Sequence, residues 1–85
     1  MAYNIIYKKS VQRDLHKLSR DQADRLLDQI EGELSRNAAV YPVLKGRFAG
    51  LRKYRVGDYR IIFAILGEDV LVLFIFTASV RFSFL

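Results

Sequence analysis

Beyond Pro42 the chain reads with a period of two in three runs, Leu51 to Val56, Tyr59 to Ile65 and Val70 to Phe76, alternating most clearly where Tyr54 and Val56 interleave with Lys53 and Arg55. A period of two is the signature of a strand with one buried face. The breaks between the runs, Gly57-Asp58 and Gly67-Glu68-Asp69, are too short for anything but hairpin turns, so consecutive strands must lie antiparallel. The first half of the chain has a different period. Val11, Leu15 and Leu18 are spaced i, i+4, i+7 and share one helical face. Ser19-Arg20-Asp21-Gln22 matches a capping box that opens a second helix, whose buried stripe is Ala23, Leu26, Leu27, Ile30 and Leu34. Pro42 biases Tyr41 away from helical angles and closes that region. A short first strand fits Ala2 to Tyr7, where β-branched and aromatic residues cluster. The expected fold is α+β: an N-terminal strand, an antiparallel helix hairpin, then a three- to four-stranded antiparallel meander with the helices packed on one sheet face.

No shift of composition divides the 85 residues, so residues 1–85 are read as a single domain. A hydrophobic fraction of 52% supplies a core, but at this size the stability margin is thin. The chain has no cysteine, which excludes disulfides, thiolate metal sites and cysteine catalysis and fits a reducing compartment. The N-terminal apolar run is short and its lysines follow it, unlike a secretory signal. The longest apolar run, Val70 to Phe76, is far below the ~20 residues of a membrane span. A soluble, cytoplasmic protein without a membrane partner is expected.

Charge is concentrated rather than spread. Residues 1–43 hold seven Lys/Arg against six Asp/Glu, whereas Leu44 to Arg60 hold six (Lys45, Arg47, Arg52, Lys53, Arg55, Arg60) against Asp58 alone, a local +5. Such a segment attracts polyanions. Lys53 and Arg55 are two apart and project from the same side of their strand, opposite Tyr54 and Val56, and Arg60 follows the turn closely enough to approach them across the ladder. Three fixed cations form a cradle for a phosphodiester, and they serve a fold poorly, because like charges facing one another repel.

Cations can also act in catalysis. When a 2′-hydroxyl attacks the adjacent phosphorus of RNA, charge builds on the phosphoryl oxygens and on the leaving 5′-oxygen, where guanidinium and ammonium groups stabilise it. A lysine among other cations can have its pKa lowered enough to move a proton. No metal or other cofactor is expected, since no His/Asp/Glu cluster has ligand spacing. Tyr54, Tyr59, Phe63, Phe74 and Phe76 either stack bases or, as strand alternation favours, fill the core. His16 lies one position off its helix's apolar face and reads as a surface residue. A charge run such as this one is, in most small proteins, only solvated surface.

The stretch from Leu44 to Leu73, with Leu44-Lys45-Gly46, Lys53-Tyr54-Arg55 and Val56-Gly57-Asp58-Tyr59-Arg60, closely resembles the RelE/ParE toxin superfamily of bacterial and archaeal type II toxin–antitoxin systems. The first helix, in the stretch from Tyr7 to Leu18, is compatible with it. The resemblance implies a ribosome-dependent mRNA endoribonuclease that needs no metal or small-molecule cofactor, with the ribosome, mRNA and a cognate antitoxin as partners. Carried over by position, Arg60 and Arg81 would stabilise transition-state charge, and Lys53 and Arg55 would position the substrate with possible proton transfer. Lys45, Arg47, Arg52 and Phe82 would contact RNA. The antitoxin would cover the sheet and the groove beside the helices.

The tail departs from the RelE-like pattern. Such chains commonly carry a histidine before the C-terminal arginine and a tyrosine after it; here Val80 precedes Arg81, and Phe82 and Phe84 follow. These phenylalanines can stack on a base but cannot move a proton. Two other functions therefore stand beside the nuclease: a ParE-like gyrase inhibitor, which needs no cleavage residues, and a catalytically impaired homologue that binds antitoxin and co-represses its promoter.

Overall fold

The computed structural model describes residues 2–77. Strand β1 (Asn4–Tyr7) leads into helix α1 (Lys9–His16) and helix α2 (Arg20–Asn37), and strands β2 (Arg52–Val56), β3 (Tyr59–Leu66) and β4 (Asp69–Thr77) follow. Between α2 and β2 the chain makes two single 3-10 turns, Ala38–Val40 and Gly46–Phe48.

The capping box at the start of α2 forms: Gln22 N–H donates to Ser19 Oγ at 3.2 Å, and Gln22 Oε1 accepts from Ser19 N–H at 3.4 Å. Two otherwise orphaned helix-end donors are satisfied there. Leu26, Ile30 and Leu34 are buried along α2, while Ala23 and Leu27 lie half-buried at the sides of the stripe. Val11 and Leu15 complete the helical contribution. Tyr41, before Pro42, is extended (φ −79°, ψ 143°), as the steric clash with a proline ring requires.

The sheet order is β1-β4-β3-β2. Strands β2, β3 and β4 form the antiparallel meander, and the fourth strand is β1, which pairs with β4 in parallel. Gly57 and Gly67 have φ of +53° and +62°. Each opens a two-residue hairpin loop, between Val56 and Tyr59 and between Leu66 and Asp69, where the tight turn demands a positive φ that only glycine adopts freely. The helices cover one sheet face, and their stripes meet Ile61, Phe63, Val70 and Val72 in one cluster.

One irregularity decides what the other face carries. Ile62 pairs with Phe74, but Phe63 pairs with Val72, so Leu73 is an extra residue in β4. Such a bulge shifts alternation by one. Val70 and Val72 therefore point to the helices with Phe63 and Ile65, whereas Phe74 and Phe76 stand beside Ile62 and Arg60 on the open face. Of the five aromatics for which core and base-stacking uses compete, Phe63 is fully buried, Tyr54 and Tyr59 pack against the helix-side core, and Phe74 and Phe76 are placed elsewhere.

Tyr7 ties β1 to α2 through a 3.0 Å bond from its hydroxyl to Glu31 Oε2. Burial, then the Glu31 hydrogen bond and charge, push the phenol above its ordinary pKa.

Phe63→Ala is expected to lower the unfolding free energy by about 3–5 kcal/mol through lost transfer energy and a residual cavity. Deleting Leu71 should be more damaging than deleting Leu73, because loss of the extra residue leaves a regular ladder with Val72 opposite Phe63 and Phe74 opposite Ile62, whereas loss of Leu71 drives Val70 or Val72 toward the wrong face. Urea denaturation measures these losses, and equal losses for the two deletions would contradict the account. For Tyr7, the raised folded pKa favours the neutral phenol, so its contribution is complete below about pH 10 and is lost as pH rises beyond it. The stability difference between wild type and Tyr7→Phe should accordingly shrink above that pH, as parallel denaturation curves would show.

Candidate functional site

Strand β2 alternates between its two faces. Tyr54 and Val56 pack on the helix-side core, and Lys53 and Arg55 are exposed on the open face. The hairpin register sets Arg55 directly opposite Arg60 and Lys53 opposite Ile62. Two arginines facing each other cost stability. Arg55 is held toward the turn, its Nε donating to Gly57 O at 3.2 Å.

The loop from Leu44 to Leu51 folds back over this face. Leu44 N–H donates to Leu51 O at 2.7 Å, Gly50 N–H donates to Leu44 O at 3.3 Å, and Val43 bridges to Arg52. Closed in this way, the loop delivers Lys45, Arg47 and Phe48 to the sheet. Together with Lys53, Arg60 and Ile62 they line an open cavity of about 270 Å³. Phe48 packs edge-on to Phe74 at 5.6 Å between centroids, and Phe74 stacks on Phe76 at 5.7 Å and 8°. Under these rings Ile62 is only 3% exposed although it lies away from the helices. The floor of the site is thus apolar and its walls are cationic, and no acidic residue among those described lines it. An apolar floor excludes water and strengthens the attraction of the cations for an anion.

Arg52 belongs elsewhere. It shares the helix-side parity of Tyr54, and its Nη1 donates to Tyr41 O at 2.5 Å and to Ala39 O at 3.3 Å. The same stretch is anchored a second time, since the Tyr41 hydroxyl donates to Glu33 Oε2 and Asn37 Nδ2 donates to Glu33 Oε1. Those two bonds hold the Glu33 carboxyl below its usual range, and burial followed by the contact with Glu33 pushes the Tyr41 phenol up. Arg52 therefore supports the loop from behind while Lys45 and Arg47 face the cavity.

The structure brings Lys45, Arg47, Lys53 and Arg60 into one cavity and places Arg55 at its rim beside Arg60. Arg81 and Phe82 lie outside the described residues. His16 is exposed. Phe48 and Ile62 were not legible as site residues: Phe48 sits in an aperiodic loop, and Ile62 reads as one more apolar strand position. Among the described residues, no three His, Asp or Glu side chains gather as ligands for a metal ion, and no helix is long and apolar enough to cross a membrane.

The family model for the ParE toxin of a type II toxin–antitoxin system, parDE, matches residues 5–81. Among solved structures, the toxin–antitoxin complex RelBE2 from Mycobacterium tuberculosis contains a chain of 29% identity and TM-score 0.82, with 91% of this chain and 92% of that one covered. The archaeal RelE–RelB complex from Pyrococcus horikoshii OT3 gives 26% identity and TM-score 0.66 over 95% and 100%. A conserved hypothetical protein of Helicobacter pylori, at 16% identity and TM-score 0.57 over 93% and 97%, shares the fold. No curated protein matches the chain significantly.

Opposed arginines and a buttressing arginine should respond oppositely to truncation. Arg60→Thr, which relieves the repulsion with Arg55, is expected to leave stability unchanged or raise it by about 0.2–1 kcal/mol. Arg52→Ala, which strips a charged donor from two carbonyls, should lower it by about 1.5–3 kcal/mol. Chemical denaturation gives both values, and limited proteolysis should show faster cleavage between Lys45 and Arg47 only in the Arg52 variant.

Proposed function

Because the chain belongs to the ParE toxin family of type II toxin–antitoxin systems, we propose that the open sheet face acts on RNA, as an endoribonuclease of the RelE kind working on ribosome-bound mRNA. The observation that carries this reading is the convergence of Lys45, Arg47, Lys53 and Arg60 on a cavity with an apolar floor. A surface made only to be soluble has no use for two arginines in direct register.

In this mechanism the scissile phosphodiester lies between Lys53 and Arg60. The RNA 2′-hydroxyl loses its proton and its oxygen bonds to phosphorus. The bond from phosphorus to the 5′-oxygen breaks, leaving a cyclic 2′,3′-phosphate, and the departing oxygen takes up a proton. Arg60, and Arg81 by its position in the sequence, stabilise the charge on the phosphoryl oxygens. Lys53 and Arg55 hold the substrate, with Lys53 the better placed chemically to exchange a proton. Lys45 and Arg47 hold a neighbouring phosphate.

The partner we propose is a cognate antitoxin that supplies negative charge to the same basic face, in line with the toxin–antitoxin complexes among the structural neighbours. A second reading, inhibition of gyrase, is favoured by the ParE description of the matching family model and by Val80, which stands where RelE-like chains commonly carry a histidine.

Primer extension on programmed ribosomes carrying a defined mRNA discriminates these readings. Wild-type protein is expected to cut in the decoding site, and Arg60→Ala to cut at least about a hundredfold more slowly, the scale of losing one transition-state donor. Intact mRNA together with blocked gyrase supercoiling would establish the second reading instead.

A further inference from the structure

Resting on the RNA reading above, we infer that Lys8 and Phe48 extend the site across the sheet, so that single-stranded RNA lies along a cross-strand row with Lys53 at one edge and Lys8 at the other. Asn4, Ile6 and Lys8 share one parity, opposite Ile5 and Tyr7, which pack on the core. Lys8 keeps extended angles (φ −61°, ψ 150°), so the alternation continues through it. Its backbone N–H donates to Val72 O at 3.1 Å, which places it one step beyond the pairing of Tyr7 with Val72. Its ammonium reaches over the Phe74 ring, 5.5 Å from the centroid.

Phe74 pairs with Ile62, and Ile62 with Lys53. The row is therefore cation, aromatic, aliphatic, cation from β1 to β2, and the Phe48 ring packs against Phe74 beside it. Three strand spacings of about 4.8 Å span ~14 Å. That length suits about four stacked nucleotides at ~3.4 Å each. Edge ammonium groups paired with a central aromatic are what a sequence-tolerant single-strand platform uses, with phosphates at the cations and a base against the ring. The alignment depends on the bulge at Leu73, without which Phe74 would face the helices. Lys8 lies in the half of the chain where positive and negative charges nearly balance, and so stands outside the basic segment.

Binding of a short, 2′-O-methylated single-stranded RNA, followed by fluorescence anisotropy across a salt series, tests the inference without cleavage. Lys8→Ala should weaken binding about three- to tenfold and reduce the salt slope by about 0.7, the share of one phosphate contact. Lys17→Ala is the control, since it removes the same charge from a side chain that is 78% exposed and pairs with Asp14. It should leave the slope unchanged. Phe48→Leu keeps an apolar cover over Ile62 but removes the ring, and should weaken binding by a similar factor with the slope intact. If wild type binds while Lys8→Ala and Lys17→Ala behave alike, the row ends before β1 and the inference fails. It fails equally if Lys8→Ala weakens binding of a purified antitoxin but not of the RNA. No binding by wild type at low salt would overturn the RNA reading itself.

Discussion

Side-chain alternation in β4 is broken by one residue, and the two faces of the sheet owe their different characters to that break. Before Leu73 the strand sends Val70 and Val72 into the helix-side core; after it, Phe74 and Phe76 turn to the open face. A strictly alternating strand would keep all four on one side. The helices would then meet two extra rings, and the cationic face would lose its apolar floor. The bulge thus lets one apolar strand serve a core and the floor of the cationic open face in succession.

The stability of the domain and the chemistry of its open face pull against each other in β2 and β3. Everything on the helix side is mutually supporting: buried Phe63 and Ile61 meet the Leu26, Ile30 and Leu34 stripe, and Tyr7 bonds to Glu31 across the layers. On the other side Arg55 faces Arg60 with no carboxylate among the residues of the cavity. Local conflict of this kind, within a framework that is otherwise consistent, is where function is expected to reside. Membership of a toxin family agrees with that division.

The architecture was largely legible because its signals are local. The capping box at Ser19, the helical stripe and the two glycine-led turns each depend on a few neighbouring residues, and each forms. The parallel pairing of β1 with β4 was not legible, since it joins residues some sixty-five positions apart and leaves no local mark. In the candidate site, the common side of Lys53 and Arg55 follows from alternation alone. Arg52 sits within the same basic run, yet only the three-dimensional path shows it bonded to the carbonyls behind the loop. Phe48 and Lys8 escaped for related reasons: one lies in a loop without period, and the other arrives from the far end of the chain.

Strand β2 is also one of the two outer strands of the sheet. An outer strand offers unpaired backbone groups to any other strand in solution, and charged side chains are a common safeguard against such edge-to-edge growth. Lys53 and, after Tyr54, Arg55 give this rim mutual repulsion between copies of the chain. The charge proposed to draw in a polyanion is therefore also the charge that keeps the molecules apart. A lineage that disarmed the protein by exchanging these residues for apolar ones would trade a poison for a chain inclined to aggregate, so neutral polar replacements are the safer route to an inactive yet well-behaved descendant.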